Sequence, residues 1–110
     1  MGKVHKHAAA KRDLVEHFVY LAENAGLETA ERFLLQADAS FSFLGRHPGS
    51  GVELARSRPE MAGMRKWQGK GFEKFLIFYR ARRDGVSIVR VLHASQDWWG
   101  VLGVVHGSAK

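Results

Sequence analysis

The stretch FLIFYRARRDGVSIVRVLH, residues 75–93, decides the fold. Phe75 to Arg82 is dense in aromatic and β-forming residues, and Val86 to His93 repeats that character. Between them Arg83-Asp84-Gly85 forms a tight connection. An Asp-Gly pair favours a hairpin because glycine accepts the positive φ that such turns demand. The spacing therefore predicts two antiparallel strands. Alternation along the first places Leu76, Phe78 and Arg80 on one face and Phe75, Ile77 and Tyr79 on the other. The same rule places Ile88, Arg90 and Leu92 together on the returning strand.

Upstream of the hairpin, Met64 to Gln68 reads as a short strand closed by the turn Gly69-Lys70-Gly71, and residues 49–59 read as a polar loop. Downstream, residues 94–97 turn the chain, Trp98 to Val104 forms a last helix or an extension, and residues 106–110 form a frayed tail. Toward the N-terminus the period changes. Leu14, Phe18, Leu21 and Ala25 recur at helical spacing, with Val15, Val19 and Ala22 widening the stripe, and Gly26 suits a left-handed cap. A second helix opens with Glu28 and Glu31 where its dipole favours acids, runs through Ala30, Phe33, Leu34, Ala37, Phe41 and Leu44, and stops at Gly45 and Pro48. Lys3 to His7 reads as a first strand. The expected architecture is a single α+β domain over residues 1–110: N-terminal strand, αα-hairpin, three-stranded antiparallel sheet and a short C-terminal segment.

Bulk properties narrow the function. At 110 residues, 45% hydrophobic and 25% charged, the chain has the profile of one folded domain. The absence of cysteine removes disulfides and thiolate metal sites. The apolar run from Trp98 to Val105 falls far short of the ~20 residues needed to span a bilayer, and no secretory signal is evident, so a cytoplasmic protein is expected. Charge is unevenly distributed. Residues 1–45 hold five Lys/Arg against six Asp/Glu, whereas residues 46–93 hold eleven against four, a net +7. Such a field attracts nucleic acid or an acidic protein.

Enzyme templates fit poorly. Gly69-Lys70-Gly71 is a turn, not a Walker loop. His5 and His7 lack a carboxylate or cysteine cluster, and Glu16-His17 has no second His four residues on, so no metal is expected.

Three stretches together resemble the ParE/RelE superfamily of bacterial type II toxins, nearer to ParE. They are Arg12-Asp13-Leu14 running to Tyr20-Leu21-Ala22-Glu23; Ala30-Glu31-Arg32-Phe33 ahead of Phe41 to Pro48; and Phe75 to Arg80 with Asp84-Gly85-Val86 and Ile88 to His93. The resemblance spans residues 4–102. One departure is Gln96-Asp97, where the family usually closes with Arg-Asp. The resemblance implies a cognate antitoxin, ParD-like and acidic in its toxin-binding region, and growth inhibition when that antitoxin is lost. Members similar to ParE act on DNA gyrase by binding, and members similar to RelE cut mRNA in the ribosome. Neither activity implies a cofactor.

An RNA-cleaving toxin needs a general base, a general acid and cations on the phosphate. Arg65, Arg80, Arg90 and His93 are the candidates for that chemistry. RelE-like nucleases add a C-terminal Tyr or His, where this chain has Trp98 and Trp99. His93 equally suits a structural role, ending a strand and bonding across a turn. In the binding reading, arginines among apolar side chains form a groove for an acidic amphipathic peptide. The expected antitoxin contacts are Leu14, Phe18, Phe33, Phe78, Arg80, Arg90 and Leu92, and the expected target contacts are Arg65, Lys66, Trp98 and Trp99. Alternatively, Arg80 and Arg90 pair internally with Asp97 or Glu73. A plain nucleic-acid-binding module is the remaining alternative, although no aromatic stacking platform stands out.

Overall fold

A computed structural model describes residues 2–56 and 59–105. The expected tail at 106–110 lies outside the described residues. Strand β1 (Lys3–Lys6) leads into helix α1 (Ala8–Ala25), which passes directly into helix α2 (Leu27–Arg46). Then follow β2 (Val52–Glu53), β3 (Met64–Gly69), β4 (Phe72–Arg82), β5 (Gly85–His93) and helix α3 (Trp98–Val105). The described strands form a five-stranded sheet in the order β1-β5-β4-β3-β2.

This corrects the expected three-stranded sheet. β1 joins it in parallel beside β5, pairing Lys3 with Gly85 through Lys6 with Ile88. β2 adds a two-residue antiparallel edge to β3, Val52 against Lys66 and Glu53 against Arg65. A strand of two residues carries no alternation, which is why the sequence reads as loop there. Short 3₁₀ turns at Pro48–Ser50, Leu54–Arg56 and Pro59–Met61 supply the rest of that segment.

Gly26 joins the helices with φ 100° and ψ 151°. This is not the left-handed helical cap expected. It is an extended conformation at positive φ that glycine tolerates and other residues do not. One residue thus ends α1 and starts α2, and the helices pack as a hairpin.

Both sheet faces are apolar. On the hairpin side, Phe33, Ala37, Phe41 and Leu44 of α2 pack with Phe75, Ile77, Tyr79, Val86, Ile88 and Val91. On the opposite side, Leu76, Phe78, Val89 and Leu92 pack with Leu54, Met61, Met64 and Leu102, covered by Trp98, Trp99 and Val101. β4 follows its expected alternation. β5 does not, because the β4–β5 register shifts: Phe78 pairs with Arg90 but Tyr79 pairs with Ile88. The extra residue is a β-bulge, which reverses the alternation beyond it. Ile88 therefore lies in one core and Leu92 in the other.

Tyr79 pins the connecting segment to the sheet. Its hydroxyl donates to the Pro48 carbonyl at 2.7 Å and accepts from the Gly51 N–H at 2.7 Å. Burial raises its pKa above the usual phenol value. A methyl group on Gly51 would meet that hydroxyl at 2.6 Å, so the chain passes there only as glycine. Tyr79→Phe leaves a buried donor and a carbonyl without partners. It is expected to lower stability by about 2 kcal/mol in urea denaturation with an unchanged m-value.

Candidate functional site

Helix α1 presents two surfaces. Its inner face centres on Ala10, Asp13, His17 and Leu21, at i, i+3, i+7 and i+11. Asp13 is only 4% exposed, a carboxylate on an otherwise core-facing stripe. Arg90 explains its burial. The Arg90 Nε and Nη2 each donate to one Asp13 oxygen at 2.7 Å, a bidentate pair. The same carboxylate accepts the Val91 N–H at 2.9 Å, while His17 Nε2 donates to the Val91 carbonyl at 2.7 Å. The Asp13 carboxylate raises the Arg90 pKa further, so the guanidinium stays charged.

Beside this junction is a cleft of about 330 Å³ between α1 and the end of β5, bordered by Glu16, Tyr20, Phe75 and His93. His93 Nδ1 accepts from the Ser95 N–H at 3.1 Å and contacts the Ser95 hydroxyl at 2.7 Å, while its own N–H donates to Gln96 Oε1. These bonds close the turn after β5. Burial, then the neighbouring His17 and Lys74, hold the His93 pKa below the usual imidazole value.

The outer face of α1 is unusual for a surface helix. Val15 is 63% exposed and Val19 46% exposed. With half-buried Phe18 and Ala22 they fall at i, i+3, i+4 and i+7, one apolar strip. Lys11, Arg12 and Glu16 border it beside Val15, two cations against one acid. These valines do not widen the buried stripe, as the periodicity suggested. The hairpin contacts the sheet over a narrower arc, and Asp13 and His17 occupy the middle of it.

The other expected site residues are placed as follows. Phe33 lies in the hairpin-side core, and Phe78 and Leu92 lie in the opposite core. Leu14 packs half-buried against the first of these. Arg65 donates to the carbonyls of Gly49 and Gly51 and to Glu53, which holds β2 in place. Arg80 donates to the Ala62 carbonyl at 3.0 Å. Arg90 thus has Asp13 as its internal partner, and Arg80 has the Ala62 carbonyl among its partners. Trp98 rests on Phe78, Trp99 lies tilted against Trp98 with ring centroids 4.3 Å apart, and Lys66 Nζ lies 5.2 Å from the Trp98 ring centroid. Both tryptophans are half-buried. The structure does not gather Arg65, Arg80, Arg90 and His93 around one point.

Asp13 is not among the expected site residues. Its stripe, Ala10-Asp13-His17-Leu21, is half polar, so periodicity alone does not mark it as the buried face. Among the described residues, no group of three or more His, Cys, Asp or Glu side chains is placed to hold a metal.

The family model described as ParE toxin of type II toxin–antitoxin system, parDE, matches residues 4–98. The chain belongs to this family. A solved structure, "Chromosomal ParDE TA system from P. aeruginosa", is similar with TM-score 0.68 and 17% identity, over 84% of this chain and 96% of that one. At that identity the likeness bears on the fold. No curated protein matches significantly. Within this ParE fold, no helix among the described residues is long and apolar enough to cross a membrane.

The Asp13 junction yields a direct test. Asp13→Ala strands a partly buried guanidinium and the buried Val91 N–H, and is expected to cost about 3 kcal/mol. Asp13→Asn keeps an acceptor for Val91 but not the ionic bidentate pair, and is expected to cost less. Urea denaturation of both variants checks the order; equal stability of Asp13→Ala and the parent chain would refute the assignment.

Proposed function

We propose that this ParE-family chain is a cytoplasmic toxin held by a ParD-like antitoxin on the outer face of α1, and that it inhibits DNA gyrase by binding. The observation that carries the antitoxin reading is the exposed strip of Val15, Phe18, Val19 and Ala22 beside Lys11 and Arg12. Apolar anchors at i, i+3, i+4 and i+7 match the face that an amphipathic helix buries in a groove. The bordering cations complement an acidic segment. Leu14 and Phe18, expected as contacts, border or form this strip. Phe33 lies in the core beneath the hairpin, while Phe78 and Leu92 lie in the core on the other side of the sheet and are not proposed as contacts. Arg90 acts through Asp13 by fixing the helix that presents the strip.

The gyrase reading rests on family membership and on what the sheet face offers. The face away from the hairpin is filled by an apolar cluster under α3. The candidate cations of a RelE-like mRNA nuclease are each engaged in fold-building bonds, and His93 closes a turn. This favours a protein that works by contact over one that breaks an RNA bond. Trp98, Trp99 and Lys66 remain proposed target contacts because they pack together at the border of that face, whereas Arg65, opposite Tyr79 in the register, belongs to the hairpin side and is proposed on its charge alone.

The test has two arms. Co-expression with a ParD-type antitoxin and affinity measurement should show at least about a tenfold loss for Val15→Asp/Val19→Asp, the loss expected when about 1.4 kcal/mol of apolar contact is removed. Purified toxin should inhibit supercoiling and raise cleaved DNA in a gyrase assay. No effect on gyrase at high molar excess, with cut mRNA in a translation reaction, would replace the gyrase reading with the nuclease.

A further inference from the structure

At the end of the sheet away from the α1 cleft, three chain segments meet backbone to backbone. The Lys3 N–H donates to the Asp84 carbonyl at 2.7 Å. A side chain at Gly2 would overlap the Gly45 carbonyl, and one at Gly85 would overlap the Lys3 carbonyl. Glycine at these positions lets the start of β1, the end of α2 and the β4–β5 turn close on one another. The junction borders an open cleft of about 370 Å³ and brings Arg46, Arg82 and Arg83 to it.

The charges there do not cancel. Asp84 is the carboxylate bordering the cleft, and it is already engaged by His5 at 3.2 Å and by Arg82 Nε at 3.2 Å. Arg82 also donates to the Ser87 hydroxyl. Arg46 and Arg83 are exposed, and neither side chain makes a hydrogen bond or ion pair among the described residues. Arg46 stands in the last turn of α2, where it also offsets the negative end of the helix dipole.

We propose that this arginine cleft binds the phosphodiester backbone of duplex DNA. Guanidinium is the side chain suited to phosphate, because its planar fork donates two parallel hydrogen bonds. An acidic amphipathic peptide fits less well, since Pro48 is the apolar side chain that the border offers. Single-stranded nucleic acid also fits less well, since it requires aromatic side chains for its bases to stack on, and the residues bordering the cleft include none. Backbone contact without base readout is what remains, carried by the three arginines that border the cleft. The site is separate from the α1 strip, so its failure leaves the antitoxin and gyrase readings standing, and theirs leaves it standing.

The experiment is fluorescence anisotropy of the full chain with a labelled random-sequence duplex of about 20 base pairs, titrated across NaCl concentrations. Sequence-independent binding is expected to be measurable at about 50 mM salt and to weaken steeply as salt rises. Arg46→Ala/Arg83→Ala should weaken it about tenfold and lower the log–log salt slope by about 1.8, the release expected for two phosphate contacts. Both side chains are exposed, so melting temperature should fall by no more than a few degrees, the effect of losing the Arg46 charge at the α2 C-terminus. Lys11→Ala/Arg12→Ala removes the same charge from α1 and should have a much smaller effect. The proposal is overturned by no duplex binding, by equal losses in the two double variants, by tighter binding of single-stranded RNA than of duplex, or by polyglutamate binding that depends on Arg46 and Arg83 while duplex binding does not.

Discussion

The fold depends on how β5 satisfies its outer edge. β1 covers that edge only as far as Ile88, where the His7 N–H closes the ladder on the Ile88 carbonyl. Beyond it, Val91 would present a buried N–H and C=O with no strand alongside, and such groups are costly when unpaired. Two side chains one turn apart on α1 take the place of the missing strand: Asp13 accepts the N–H and His17 donates to the carbonyl. Asp13 can be buried as an anion because Arg90 supplies a bidentate counter-charge from the adjacent position. The constraint fixes both the rotation and the axial position of α1. Everything α1 carries inherits that placement, including the strip at Val15 and Val19 and the cleft wall at Glu16 and Tyr20.

The same residue pair accounts for the bulge in β5. A regular strand would hold Ile88, Arg90 and Leu92 on one face. With an extra residue at Val89–Arg90, Ile88 and Val91 face the hairpin while Val89 and Leu92 face α3. Arg90 sits at this irregularity, where its guanidinium reaches the helix. The distortion therefore serves two ends: it sends a cation to Asp13, and it keeps apolar side chains on both faces of a sheet that is covered on both sides.

Elements that bury one face over many residues were legible. The helical stripe of α2, the alternation in β4 and the Asp84-Gly85 turn follow from patterns repeated over several residues, and the structure places each where those patterns require. The missed features depend on single long-range partners. β2 is two residues held by the Arg65 fork, and no periodicity exists over that length. The parallel pairing of β1 is set by a crossover through the whole helical hairpin. The burial of Asp13 depends on a guanidinium 77 residues away. For the candidate site the consequence was larger. Apolar residues at correct helical or strand spacing were assigned to a binding groove, yet Phe33, Phe78 and Leu92 are core. Spacing shows that residues share a face; it does not show whether that face is covered.

Charge placement separates structural arginines from available ones more sharply than residue type does. Arg65, Arg80 and Arg90 each point at a carbonyl or carboxylate of the chain, and each holds one junction: β2 on β3, β4 on the turn before β3, and β5 on α1. Arg46 and Arg83 point at no such group, and they occur where glycine brings three backbones together. A guanidinium that is desolvated and paired contributes little to long-range attraction, because its field is cancelled nearby. An exposed, unpaired one contributes its full charge within about a Debye length. Arg46 and Arg83 are thus two exposed, unpaired charges at the end of the sheet opposite the α1 cleft. The apolar strip on α1 and the arginine cleft are chemically distinct and spatially separate, so one ligand need not displace another for both surfaces to be used.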